Sequence, residues 1–201
     1  MVLVSKELPA DIRALLDQLA ANDRSANSII DGLSAVQGTW RPAPGSWCVS
    51  ECLDHLATSG RVYLDAMQGT ASIGRARGRT RTRPARPGWI GRAFVNMLEP
   101  PPKWWSRLQS PSKIRPLTAP PLAPALAHFL ESQANVRTFI HATADLDLAT
   151  LLFPNPFVSG IRFSLATGLH VITAHNRRHL LQAQRVRQAL EMAVVGDRAT
   201  G

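Results

Sequence analysis

The chain has 201 residues, of which 45% are apolar, enough for one domain with a sizeable core and short for two. A formal net charge of +9 permits attraction to nucleic acid, anionic lipid or an acidic small molecule without choosing among them. No window approaches about 18 uncharged apolar residues, and the stretch from Met1 to Glu7 lacks a basic region followed by an apolar core. Neither a membrane span nor a signal peptide is therefore expected.

Cys48 and Cys52 are spaced C-x3-C, which is neither a redox pair nor a zinc ribbon, and two cysteines make no disulfide framework. The expected setting is a reducing, cytoplasmic one, for a bacterial-type enzyme or binding protein.

Apolar residues at helical spacing predict a first helix over 9–36, opened by Pro9 and Asp11 and carried by Ile12, Leu15, Leu19, Ala26, Ile29 and Leu33. A polar gap, Asn22-Asp23-Arg24-Ser25, interrupts this stripe and could mark a kink, a solvent-facing turn or the wall of a polar site. Residues 38–47 form a Pro/Gly-rich connection with two tryptophans, Trp40 and Trp47, which suggests a loop pinned onto the fold.

A second helix is predicted from Val49 to about Met67. Glu51 stands at the N3 position of a capping box, with Cys48 where a serine or threonine is usual. Sulfur is a poor acceptor, so a weaker cap is expected. Residues 71–121 are rich in arginine, proline and glycine, with six arginines between Arg75 and Arg86. They contain a short apolar stretch, Trp89 to Leu98, that fits two or three helical turns, and then Pro100 to Pro102 and the pair Trp104-Trp105. An excursion this long is often a lid or a binding loop.

A third helix is predicted over Ala123–His141. A loop follows over Asp145–Ser159, with Pro154 and Pro156 barring a helix, and a fourth helix runs from about Phe163 to about Met192. No strand pattern exceeds a few residues. Four long helical segments in such a chain predict an all-α four-helix bundle, its core at about 9–70 and 122–192 and its insertion at about 71–121, as a single domain over 1–201.

Six histidines are present. His175 and His179 are four apart in the fourth helix and so share one face. That spacing lets two imidazoles converge on one metal ion, though H-x3-H also occurs on solvated helix faces, and Asn176, Arg177 and Arg178 between them are polar. Two ligands bind weakly, and a third must come from another helix. His55, mid-helix among apolar neighbours, is the best candidate. His170 lies about 140° around the helix from His175 and is expected to point elsewhere. His128 and His141 are expected at the surface or at helix ends.

The run Trp40-Arg41-Pro42, Gly45-Ser46-Trp47, Glu51 and His55-Leu56 resembles the signature around the first metal histidine of the DinB-like (DinB/YfiT-like) superfamily of metalloenzymes. The run from His175 to Gln182 resembles its second signature, H-x3-H followed by glutamine. Both blocks fit in order from about residue 9 to about residue 190, and the stretch from Pro100 to Pro116 is similar to the connection between the second and third helices of one subfamily. The resemblance implies an up-down bundle with a long crossover and a pocket at one end. It implies a divalent ion, zinc or nickel, on His55, His175 and His179. It also implies a small-molecule substrate and, in many members, a homodimer. Known members include transferases and isomerases that use a low-molecular-weight thiol.

Three neutral imidazoles leave an open coordination position, which could acidify bound water or hold a thiolate. The leading expectation is thus a metal-dependent transferase joining a low-molecular-weight thiol to a small electrophile. A metal-dependent hydrolase is the alternative. A non-catalytic module binding nucleic acid or a membrane surface through Arg75 to Arg86 is a third reading, and a solvated loop explains that run more simply. No general base is identified: Glu51 fits a cap better than a catalytic role, and Asn22 and Asp23 are candidates to line the pocket.

Overall fold

The computed structural model describes residues 7–101, 114–116 and 118–199. Four long helices dominate these residues: α1 (Ala10–Ile30), α3 (Val49–Ala76), α5 (Leu122–Thr143) and α6 (Leu165–Ala199). Two shorter ones, α2 (Ala35–Gly38) and α4 (Trp89–Leu98), and two three-residue strands, β1 (Leu152–Pro154) and β2 (Arg162–Ser164), complete the fold. No described helix is long and apolar enough to cross a membrane. The pair Trp104-Trp105 lies outside the described residues.

The first helix stops six residues short of the expected end. Gly32 takes a left-handed conformation (φ +73°), which glycine adopts without penalty, and the chain turns there. Ser34 then starts α2 with a capping box, its hydroxyl accepting from Gln37 N and its own N–H donating to Gln37 Oε1. The second long helix runs nine residues past the expected Met67, so the connecting segment begins at Arg77 and not at residue 71. Ala71 and Gly74 explain the difference. Both are buried, and Gly74 sits so close to Leu151 that a Cβ there would meet its side chain at 2.6 Å. Tertiary contact thus outweighs the weak helix propensity of the glycines.

At the start of α3, Glu51 Oε2 accepts from Cys48 N at 2.9 Å while the Cys48 thiol lies 3.2 Å from the Ser50 hydroxyl. The glutamate half of the box holds this end, and Arg41 reinforces it with an ion pair to Glu51 at 2.7 Å. Cys48 and Cys52 are buried and unbridged.

The expected loop after α5 carries a small hairpin instead. β1 and β2 pair antiparallel with Phe153 opposite Phe163, and both rings are buried. Pro154 forbids a helix, but it closes a strand end without losing a needed donor. Phe163 belongs to this hairpin and not to the fourth helix, and the Ser164 hydroxyl caps α6 by accepting from Thr167 N at 3.1 Å.

Contacts fix the helix directions. The C-terminal end of α3 meets that of α5 through Arg75 and Asp145, and the segment after α3 returns to the start of α1 through Arg81 and Asp11. At the other end Ala119 N reaches Glu51 near the start of α3, and Arg187 of α6 donates to the carbonyls of Ser28 and Ile29. α3 and α5 are therefore parallel, and the chain between them must travel the length of the bundle. α4 is part of that return, laid along α6: Gly91 abuts Thr167, Phe94 meets Phe163, and Glu99 pairs with Arg177. α1 and α3 lie diagonally, each packed on α5 and α6.

The core has two parts. One contains Ile12, Leu15, Leu19, Met67, Phe153 and Leu169, and the other contains Ala26, Leu53, Leu56, Phe129, Leu180 and Ala183. Between them every long helix places a buried polar residue, Asn22 on α1, Ser59 on α3, Gln133 on α5 and Asn176 on α6 among them. Asn176 Nδ2 donates to Gln133 Oε1 at 2.8 Å, and Asn22 Nδ2 donates to the Thr173 carbonyl at 3.4 Å. Groups paired in this way cost far less than unpaired ones, while Gln133 Nε2 is buried with no partner among the described residues.

Candidate metal centre

His55 enters the bundle from the second turn of α3, and His175 and His179 come from one face of the middle of α6. Their ligand nitrogens lie within 4.8 Å of one another, a grouping that could hold a metal ion. His55 Nε2 is 3.3 Å from His175 Nε2. Two nitrogens about 2.0–2.1 Å from a tetrahedral metal stand about 3.3–3.4 Å apart, so this pair already has the separation of co-ligands.

The other ring nitrogens decide the chemistry. His55 Nδ1 is 2.6 Å from the Ile114 carbonyl, which can only accept, so Nδ1 carries the proton. His179 Nδ1 is 2.9 Å from Gln182 Oε1. His175 Nδ1 is 3.3 Å from the Ser59 hydroxyl, whose own proton is directed to the Leu56 carbonyl at 3.2 Å. His55 thus donates from Nδ1, and the same tautomer at His175 and His179, each with an oxygen beside Nδ1, leaves Nε2 with a lone pair. Lone pairs turned toward one another repel, and a cation among them relieves the repulsion. The donor set therefore fits a divalent ion of intermediate softness.

The surroundings favour the neutral rings that a metal requires. His55 is buried, while His175 and His179 are half-buried with their rings among dense protein. Burial lowers the proton affinity of all three, for His175 well below the ordinary value and for His179 to about 3. The neighbouring rings and the Arg178 guanidinium push His175 further the same way.

Trp47 roofs the cluster. Its ring centroid is 4.8 Å from that of His55 and 5.6 Å from that of His179, stacked on the latter at 29°. The tryptophan loop is pinned as expected, with Trp40 and Trp47 against the second core part. That Trp47 touches two of the histidines was not anticipated.

The face carrying the H-x3-H pair is not a solvated one. Asn176 is buried against Gln133, Arg177 is held by Glu99 and by Gln18 Oε1 at 2.9 Å, and Arg178 donates to the Met97 carbonyl at 3.2 Å. His170 points away, 3.2 Å from the Ala85 carbonyl, and His128 and His141 are exposed. Asn22 and Asp23 do not join the cluster. Asn22 is bonded to α6 at Thr173, and Asp23 pairs with Arg137 of α5. Glu51 is likewise engaged, as a cap and as the partner of Arg41.

The sequence profile of the DinB superfamily matches residues 11–183. The chain belongs to the DinB superfamily. The match takes in all three histidines and ends within α6, and the all-α architecture agrees with the membership. No curated protein and no solved structure gives a significant match to this DinB-superfamily chain.

Proposed function

We propose that this DinB-superfamily protein is a metal-dependent transferase that uses a low-molecular-weight thiol on a small electrophile, with one divalent ion, zinc or nickel, on His55, His175 and His179. The observation that carries the metal part is the orientation of the rings. Each Nδ1 has an oxygen partner, at Ile114, Ser59 and Gln182, and one ligand nitrogen from each ring lies within 4.8 Å of the other two. A bound divalent ion supplies a Lewis-acid position at which a thiol gives up its proton near neutral pH.

The chain's own residues do the rest. Ser59, Gln182 and the Ile114 carbonyl hold the rings, and Trp47 covers two of them and limits access by water. The Arg178 charge that disfavours protons on His175 and His179 favours an anionic sulfur in their place. In the overall reaction the thiol sulfur bonds to the electrophilic carbon, the leaving group departs with its electron pair, and the thiol proton is released.

The test is metal analysis of zinc-loaded and desalted protein, wild type beside His175→Ala, followed by turnover of monochlorobimane with a panel of thiols. About one ion per chain is expected in the wild type and essentially none in the variant, with a metal-dependent rate for at least one thiol. Equal metal in both proteins would overturn the centre. Metal-dependent turnover of ester substrates without any thiol would replace the transferase reading with a hydrolase.

A further inference from the structure

Ser59 stands one helical turn after His55 on α3, on the same face, and is buried in the polar layer between the two core parts. A serine inside a helix commonly bonds the carbonyl three or four residues back, and Ser59 does so to Leu56 at 3.2 Å. With its proton in that bond, the hydroxyl oxygen is left as an acceptor. The His175 Nδ1 lies 3.3 Å away on that side.

We propose that Ser59 is a positioning residue of the histidine centre, which holds His175 as the Nδ1–H tautomer and so keeps its Nε2 available to a metal ion. This inference rests on the metal reading above and adds a residue to it. The alternative tautomer shows why such a residue is needed. With its proton on Nε2, His175 would donate to His55 Nε2, which lies 3.3 Å away. That internal hydrogen bond would consume the lone pairs of two ligands at once and close the site to metal. Ser59 blocks it by making the Nδ1 proton the satisfied one. So long as the hydroxyl donates to Leu56 it accepts from the Nδ1–H, and the relay runs one way.

The neighbouring rings have independent anchors, the Ile114 carbonyl for His55 and Gln182 for His179. Loss of Ser59 should therefore free His175 alone. Partners of this kind typically change metal affinity by about 10–100-fold when removed.

The experiment pairs two measurements on wild type, Ser59→Ala and Ser59→Thr, each checked for folding by circular dichroism. Chelator competition with zinc should show a loss of about 10–100-fold for Ser59→Ala, with recovery in Ser59→Thr, which keeps the hydroxyl. Long-range nitrogen-15 NMR of the metal-free proteins reads the tautomer directly. His175 should carry its proton on Nδ1 in the wild type and shift toward Nε2 in Ser59→Ala. Unchanged zinc affinity in Ser59→Ala, or a wild-type His175 protonated on Nε2, would overturn the proposal. Failure of the wild type to bind zinc would instead sink the metal centre, while the tautomer measurement would still decide whether Ser59 sets the ring.

Discussion

The two parts of the core do different jobs. The part built on Ile12, Met67, Phe153 and Leu169 is filled by large side chains and closed by the hairpin and by the Arg81 to Asp11 pair. The part built on Leu53, Phe129 and Leu180 shares its helices with three inward-facing histidines and a tryptophan roof. The first can be packed for stability alone. The second must accept lone pairs held close together, which no packing argument favours. The polar layer is where these two demands meet, and a fold that keeps both separates them there.

Acid should expose this difference most strongly. In chelator-treated protein His55, His175 and His179 are neutral and have proton affinities below the ordinary value of 6.5, chiefly through burial. The unfolded chain takes up protons below 6.5 that the folded chain refuses. Stability is therefore flat with respect to these groups above 6.5 and falls as the pH drops from there toward about 3, the value for His179. Hydrogen exchange at graded pH should show amides around His55 and His179 losing protection before those around Met67 and Leu169. Simultaneous loss in both regions would erase the distinction drawn above.

A large effect is also expected from Phe153→Ala, which empties a fully buried site in the first core part. A loss of about 3–5 kcal/mol should appear in denaturant unfolding, equally with and without zinc. A loss that depended on zinc would mean that the two parts are coupled across the layer.

A smaller effect should come from the layer itself. Asn176→Ala leaves the buried Gln133 amide without its partner and should cost about 1–3 kcal/mol. Pairing it with Gln133→Leu should recover part of that loss, because no polar group is then stranded. A double variant as unstable as the sum of the singles would show that the layer acts by shape and not by hydrogen bonding.

Much of this was legible in the sequence, and the parts that were not have identifiable causes. The apolar spacing marked all four long helices, because a half-buried helix must repeat its apolar face. The i, i+4 relation of His175 and His179 showed that they share a face, and the resemblance supplied His55. The break in the first helix was also written there, in Gly32 and in the capping pair Ser34 and Gln37, but the apolar residues beyond it masked the signal. The extra length of α3 depends on Leu151 packing against Gly74, a contact 77 positions along the chain that no local window contains. Ser59 could have been noticed as His55 plus four. The role of Trp47 could not, because it depends on how a loop folds back over two helices.

One anchor of the centre has a consequence for how such a protein can diversify. The acceptor for His55 is a main-chain oxygen, at Ile114, delivered by the chain on its way back along the bundle. Substituting the side chain at 114 leaves that oxygen in place so long as an apolar residue seats the strand of chain. Changes of side chain at 114 can thus accumulate while the grip on the histidine, made by the main chain, is kept.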